Sequence, residues 1–222
     1  MSIAQRIQAL KHSLPSEVTL VAVSKFHPVE ALQEAYAAGQ RVFGESRAQE
    51  LVAKQRQLPA DIEWHFIGTL QSNKVKEIVP FISLIHSVDS LRLLQEIEKQ
   101  AAKVDRVVRV LLEIHVAQEE TKHGLTPEAC EQLLADEAVA HLSHVRICGL
   151  MGMASNTDDE AQIRAEFHQI HALFNTLKDG LCLTNPDFTL LSMGMSHDYP
   201  LAIAEGSNLI RVGTAIFGER VY

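Results

Sequence analysis

Residues 17–45, "EVTLVAVSKFHPVEALQEAYAAGQRVFGE", hold a strand, a helix and a second strand in one short stretch. The apolar, β-branched run at 17–25 predicts a strand, Pro28 opens a segment of helical spacing at 28–38, and "RVFGE" at 41–45 predicts the next strand. The same alternation extends in both directions. Further strands are predicted at 63–68, 82–88, 107–116, 145–153, 188–195 and 208–217, eight in all, with helical segments at 47–58, 73–79, 90–103, 126–139, 158–178 and 198–205. Start signals at Asp89-Ser90 and Thr126-Pro127 and the polar stretch Asn156–Asp159 precede three of these helices.

Near-continuous apolar strands alternating with amphipathic helices predict a parallel sheet covered by helices, and eight units in a chain of 222 residues match the size of a (β/α)8 TIM barrel. An open, doubly wound sheet is the alternative. A helix at 2–11 precedes the first strand and is expected to close the barrel bottom or pack on its side. No Pro/Gly/Ser-rich linker interrupts the pattern, and the last strand ends about five residues before Tyr222, so residues 1–222 are expected to form one domain.

The composition, 46% hydrophobic and 22% charged, suits an ordered globular chain. A formal net charge of −8 argues against nucleic acid or a membrane surface as partner, and points to a small molecule. No apolar run resembles a signal peptide or reaches membrane-spanning length. Cys130, Cys148 and Cys182 are odd in number and widely spaced, as expected of reduced thiols, so a cytoplasmic location is expected.

In a barrel of this kind the site lies at the C-terminal strand ends, which here are rich in Gly, Ser and Thr. "SMGMS" (192–196) and "RVGT" (211–214) offer Ser192, Gly194, Ser196, Gly213 and Thr214 on adjacent strands, with no carboxylate inside either motif. They read as an anion cradle, or else as small residues used for close packing. Arg211 stands inside the apolar run of strand eight and needs an anion, a carbonyl or a heteroaromatic acceptor; a snorkelling strand-edge arginine is the plainer reading. Lys25 ends strand one and is expected near Arg211 across the barrel seam, where desolvation and like charge favour the neutral amine. Such a lysine forms a Schiff base with aldehydes, although a solvated strand end would also fit. Together with a phosphate cradle and an arginine for a ring nitrogen, it describes a site for pyridoxal 5′-phosphate (PLP). Without the arginine, the same set would describe a class I aldolase. Of the eleven histidines, His168 and His171 have helical spacing but no third ligand nearby, so no metal is expected, and His65, His86 and His115 read as core or supporting histidines.

The ordered blocks "VAVSKFHPVEAL", "VFGESRAQEL", "WHFIGTLQSNK", "HSVDS", "KHGL", "GLMGM", "LSMGMSHDYPLAI" and "IRVGTAIFGER" resemble the YggS/PROSC family of PLP homeostasis proteins from about residue 17 onward. The resemblance implies a barrel like the N-terminal domain of alanine racemase. It implies PLP carried on Lys25, phosphate held by Ser192, Gly213 and Thr214, Arg211 at the pyridine nitrogen, and Met193 and Met195 near the cofactor. One block departs from the pattern. Where the family has "GENY", this chain reads Gly44-Glu45-Ser46-Arg47, so Ser46 would replace an asparagine contact from strand two.

A PLP racemase needs two acid/base groups, one on each face of the carbanion. Fold relatives take the second, a tyrosine, from another domain, whereas this chain offers Tyr36, Tyr199 and Tyr222, with nothing to aim them. An arginine at the ring nitrogen also weakens the electron sink. The expectation is therefore a monomeric PLP carrier with weak or absent turnover, serving apo-PLP-dependent enzymes; an amino-acid racemase is the alternative.

Overall fold

The computed structural model describes residues 1–117 and 124–219. Eight parallel strands close into a barrel in sequence order: β1 (Thr19–Val23), β2 (Val42–Glu45), β3 (Glu63–Phe66), β4 (Leu84–Val88), β5 (Val108–Ile114), β6 (Val145–Gly152), β7 (Leu190–Ser192) and β8 (Leu209–Val212). The open-sheet alternative is thereby excluded. Closure is made by β1 against β8, with Val21 opposite Arg211 and Ala22 opposite Val212.

The N-terminal helix α1 (Ile3–Ser13) is held by a reciprocal cap between Ser2 and Gln5 and packs on α2 (Val29–Ala37). Around the barrel follow α3 (Ala48–Gln55), α4 (Val75–Ile78) after a single 3₁₀ turn at Ser72–Lys74, and α5 (Leu91–Ala102), capped by Ser90. The helix expected at 126–139 is two pieces, α6 (Pro127–Ala135) and α7 (Glu137–Ala140), because the Asp136 side chain caps the Ala138 N–H and restarts the helix. Asp159 caps the long α8 (Glu160–Asp179), and α9 (Tyr199–Ala204) follows β7.

Every strand is shorter than its sequence suggested, β7 and β8 by the most. β7 stops at Ser192, and Gly194 then turns away at φ 92°, where an added Cβ would meet the Ala202 Cβ at 2.7 Å. β8 stops at Val212, and Thr214–Phe217 form the short helix α10. The alternating β-branched residues of "VGTAI" imitate a strand, but Gly213 leaves the sheet and its carbonyl accepts from the Ile216 and Phe217 N–H groups.

Inside the barrel the side chains form layers, as the register requires. Val21, Leu84, Leu111, Cys148, Met151 and Leu209 make an apolar layer. Alongside it are the buried polar residues His65, His86, Glu113, Ser192 and Arg211. The larger apolar core fills the space between barrel and helices. Among the described residues no helix is long and apolar enough to cross a membrane.

Candidate functional site

A cavity of about 210 Å³ opens at the C-terminal end of the β1/β8 seam. Lys25, two residues past β1, Arg211 of β8, and Gly213 and Thr214 at the start of α10 all border it. Val23, Ile67, Met153 and Met195 supply apolar wall, while Ser196, His27 and His197 add polar rim. No Asp or Glu is among the described residues that border it.

The cradle differs in detail from expectation. Ser196, rather than Ser192, borders the cavity, and its Oγ accepts from the Gly213 N–H (3.2 Å) and the Ala215 N–H (3.3 Å). The Ser196 and Thr214 hydroxyls, with the Gly213 and Ala215 amides converging on Ser196 Oγ, make a polar corner of the kind a phosphate needs. Ser192 and Met193 are fully buried and do not border the cavity. Gly194 does not border it either; its carbonyl accepts the Arg211 N–H at 3.0 Å and so fixes β8.

Ser192 instead holds Arg211. The guanidinium, 4% exposed, donates through Nη1 to the Ser192 carbonyl (2.8 Å) and hydroxyl (2.6 Å) and through Nη2 to the Gly152 carbonyl (3.0 Å). Because Ser192 Oγ accepts from arginine, its own hydrogen is left for His86 Nδ1 at 3.0 Å. The His86 Nε2–H then donates to His65 Nδ1, also at 3.0 Å. This one-way chain requires both histidines to be neutral. Burial drives His65 down to about 3 and His86 well below the usual imidazole value, with neighbouring positive charge adding to each shift. Burial likewise lowers Arg211 to about 10, so it remains a cation at neutral pH. Glu113, behind it, is pushed up to about 7 by burial and by Asp89, against the pull of Arg211.

Ser46 is not brought to this cavity. It borders a neighbouring one with Arg47 and Lys74, and Gly68 packs against it so closely that a Cβ there would lie 2.4 Å from the Ser46 carbonyl oxygen. Tyr199 does not border the main cavity; Tyr222 and part of the "HVAQEETKHG" block lie outside the described residues.

The sequence reading missed a buried ionic cluster just outside the barrel wall. Lys54 of α3, 5% exposed, donates to the Ser24 carbonyl (2.8 Å), Glu45 Oε1 (2.7 Å) and Glu50 Oε1 (2.7 Å). Ser24 Oγ donates to the same Glu45 oxygen at 2.6 Å, and Glu50 Oε1 accepts the Phe26 N–H at 2.7 Å. Phe26 sits at φ 68°, a left-handed conformation costing a non-glycine residue about 1–2 kcal/mol. A hydrogen bond to a carboxylate is worth about 1.5–3 kcal/mol, enough to hold it there, and the Arg47 guanidinium stacks on the Phe26 ring at 4.8 Å. The 2.7 Å ion pair with Lys54 favours an ionised Glu45. Even so, burial raises Glu45 to about 7, with the Glu50 charge adding to the shift, and its Oε2 has no hydrogen-bond partner among the described residues. The available signal was the Glu50/Lys54 pair at i,i+4, which looks like an ordinary helix-surface pair.

A closed barrel with an amine, a buried guanidinium and a hydroxyl–amide corner around one cavity defines a class: (β/α)8 proteins that hold an anionic carbonyl compound within reach of a lysine. The model of the alanine racemase N-terminal domain matches residues 1–221. The chain belongs to that family and, within it, to the pyridoxal phosphate homeostasis proteins. It is 41% identical to the pyridoxal phosphate homeostasis protein of Aquifex aeolicus over 204 residues, covering 91% of this chain and 87% of that protein. The structure of PipY from Synechococcus elongatus PCC7942 without PLP is also 41% identical, with a TM-score of 0.90, covering 98% of this chain and all of that one. The structure of PipY with PLP bound superposes with a TM-score of 0.87 at the same identity and coverage.

Proposed function

We propose that this protein binds PLP at the β1/β8 cavity and acts in PLP homeostasis, holding the cofactor rather than using it for sustained turnover. The observation that carries the reading is the convergence of Lys25, Arg211 and the Gly213–Thr214 corner on a cavity bordered by no described carboxylate. These residues fit the cofactor: Ser196, Thr214 and the Gly213 and Ala215 amides would bind the phosphate, Arg211 would donate to the pyridine nitrogen, and Met195 and Ile67 would cover the ring. PLP supplies an aldehyde that condenses reversibly with the Lys25 amine. A related protein, PipY, has been solved with PLP bound, which supports the same ligand here. On this reading residues 1–222 form one cofactor-binding unit, monomeric and cytoplasmic, that hands PLP to apo-enzymes.

His27 and His197 at the rim favour a second reading, residual amino-acid racemase activity, because each brings a second acid/base group to the cavity that Lys25 borders. One experiment addresses both. Purified protein mixed with PLP is expected to gain a near-visible absorption band, and borohydride to fix one adduct on Lys25, located by mass spectrometry. Lys25→Ala should show neither. A protein that gains no band but is trapped on a sugar phosphate would be a class I aldolase, and sustained racemisation of alanine, lost in Lys25→Ala, would overturn the carrier reading.

A further inference from the structure

The buried cluster behind strand one grips the chain on both sides of Lys25. Lys54 holds the carbonyl of Ser24, the residue before it, and Glu50 holds the N–H of Phe26, the residue after it. Both grips come from one face of α3, at positions i and i+4, tied to each other at 2.7 Å and anchored to the end of β2 through Glu45. The held segment is a strained one, since Phe26 is left-handed. From these contacts we infer that Glu50 and Lys54 are positioning residues, which fix the Ser24–Phe26 backbone and thereby aim the Lys25 amine into the cavity. Neither borders the cavity, so neither is expected to touch a ligand there.

The charges stand where such a device needs them. A carboxylate placed directly on Lys25 would favour its ammonium form, which cannot attack a carbonyl. The two carboxylates of this cluster, Glu45 and Glu50, engage Lys54, Ser24 and the Phe26 N–H. Without Glu50, the left-handed conformer loses this hydrogen bond, and any ligand that requires the conformer binds more weakly by the fraction depopulated.

The test compares Glu50→Met, which removes the acceptor, with Glu50→Gln, whose amide oxygen can still receive the Phe26 N–H. Two quantities are read in each: PLP loading of the apo-protein by absorbance, and acylation of Lys25 by limiting acetic anhydride across pH, without PLP, by mass spectrometry. Glu50→Met is expected to weaken loading about tenfold or more and to shift the Lys25 acylation profile, and Glu50→Gln to stay within about threefold of the parent. Wild-type loading by Glu50→Met, or equal loss in both variants, would overturn the inference, the second result marking a purely structural role. The inference rests on the PLP reading only for the first readout. If the parent protein takes up no PLP, the function proposal fails, and the acylation profiles still decide on Glu50.

Discussion

The two cations of the cavity are supported in opposite ways. Lys25 is backed, outside the barrel wall, by an ionic cluster of one buried lysine and two carboxylates. Arg211 is hydrogen-bonded, inside the barrel, only to neutral groups, two carbonyls and a hydroxyl backed by two uncharged imidazoles, while the carboxylates Asp198 and Glu113 act on it through space. The difference follows from what each must do. An arginine keeps its proton even when buried, so dipoles suffice to orient it, whereas a nucleophilic lysine must be able to lose its proton and is best held through its backbone. On the proposed function, ion pairs placed one residue away on either side hold the backbone that carries Lys25.

The largest effect expected from breaking this contrast is on the ionic side. Lys54→Met leaves Glu45 buried with no cation, and removing one partner of a buried pair costs about 3–5 kcal/mol. Glu45 already sits near 7, and losing Lys54 raises it further. The penalty in urea unfolding should therefore grow between pH 7 and 9, as the unfolded chain releases a proton that the folded one retains. A penalty independent of pH in that window would mean that Glu45 is not the group left exposed to the loss.

The neutral side should respond without the pH dependence of the ionic side. His86→Phe deprives the Ser192 hydroxyl of its acceptor and His65 of its donor, each orphaned group costing about 1–3 kcal/mol. Between pH 7 and 9 this penalty should be nearly flat, because His86 is uncharged in the folded chain and largely so in the unfolded one there. The same variant should loosen Arg211, weakening PLP retention in a dialysis assay while leaving the Lys25 adduct in place.

The barrel was legible because strands buried on both faces read as continuous apolar runs, and because Lys25 and Arg211 are conspicuous as charges placed within or at the end of such runs. What failed was finer. On a strand as short as β7, the sequence cannot tell which of Ser192 and Ser196 meets the cavity, and the structure gives Ser192 to Arg211 and Ser196 to the Gly213 amide. Ser46, next in sequence to Glu45, was drawn in by motif position alone. The Glu45–Lys54 pair joins a strand end to a helix, and no periodicity reports a contact of that kind.

The smallest effect sharpens the comparison through acid. Glu113, facing Arg211 within the neutral layer, is raised to about 7, so the folded state holds its proton more tightly than the unfolded one between about pH 4.5 and 7. Its contribution to stability is therefore fully present below 4.5 and is lost as pH rises through 7. His65 and His86 run the other way: their values are lowered, so their contribution is present above 6.5 and is lost on acidification. Over pH 6.5 to 5 the two trends oppose, and Glu113→Gln removes one of them. Its stability should fall more steeply with acid than that of the parent, by about 1 kcal/mol per pH unit. Parallel curves for the two proteins would show that Glu113 ionises at its ordinary value, and the layer around Arg211 would then hold a carboxylate charge at neutral pH.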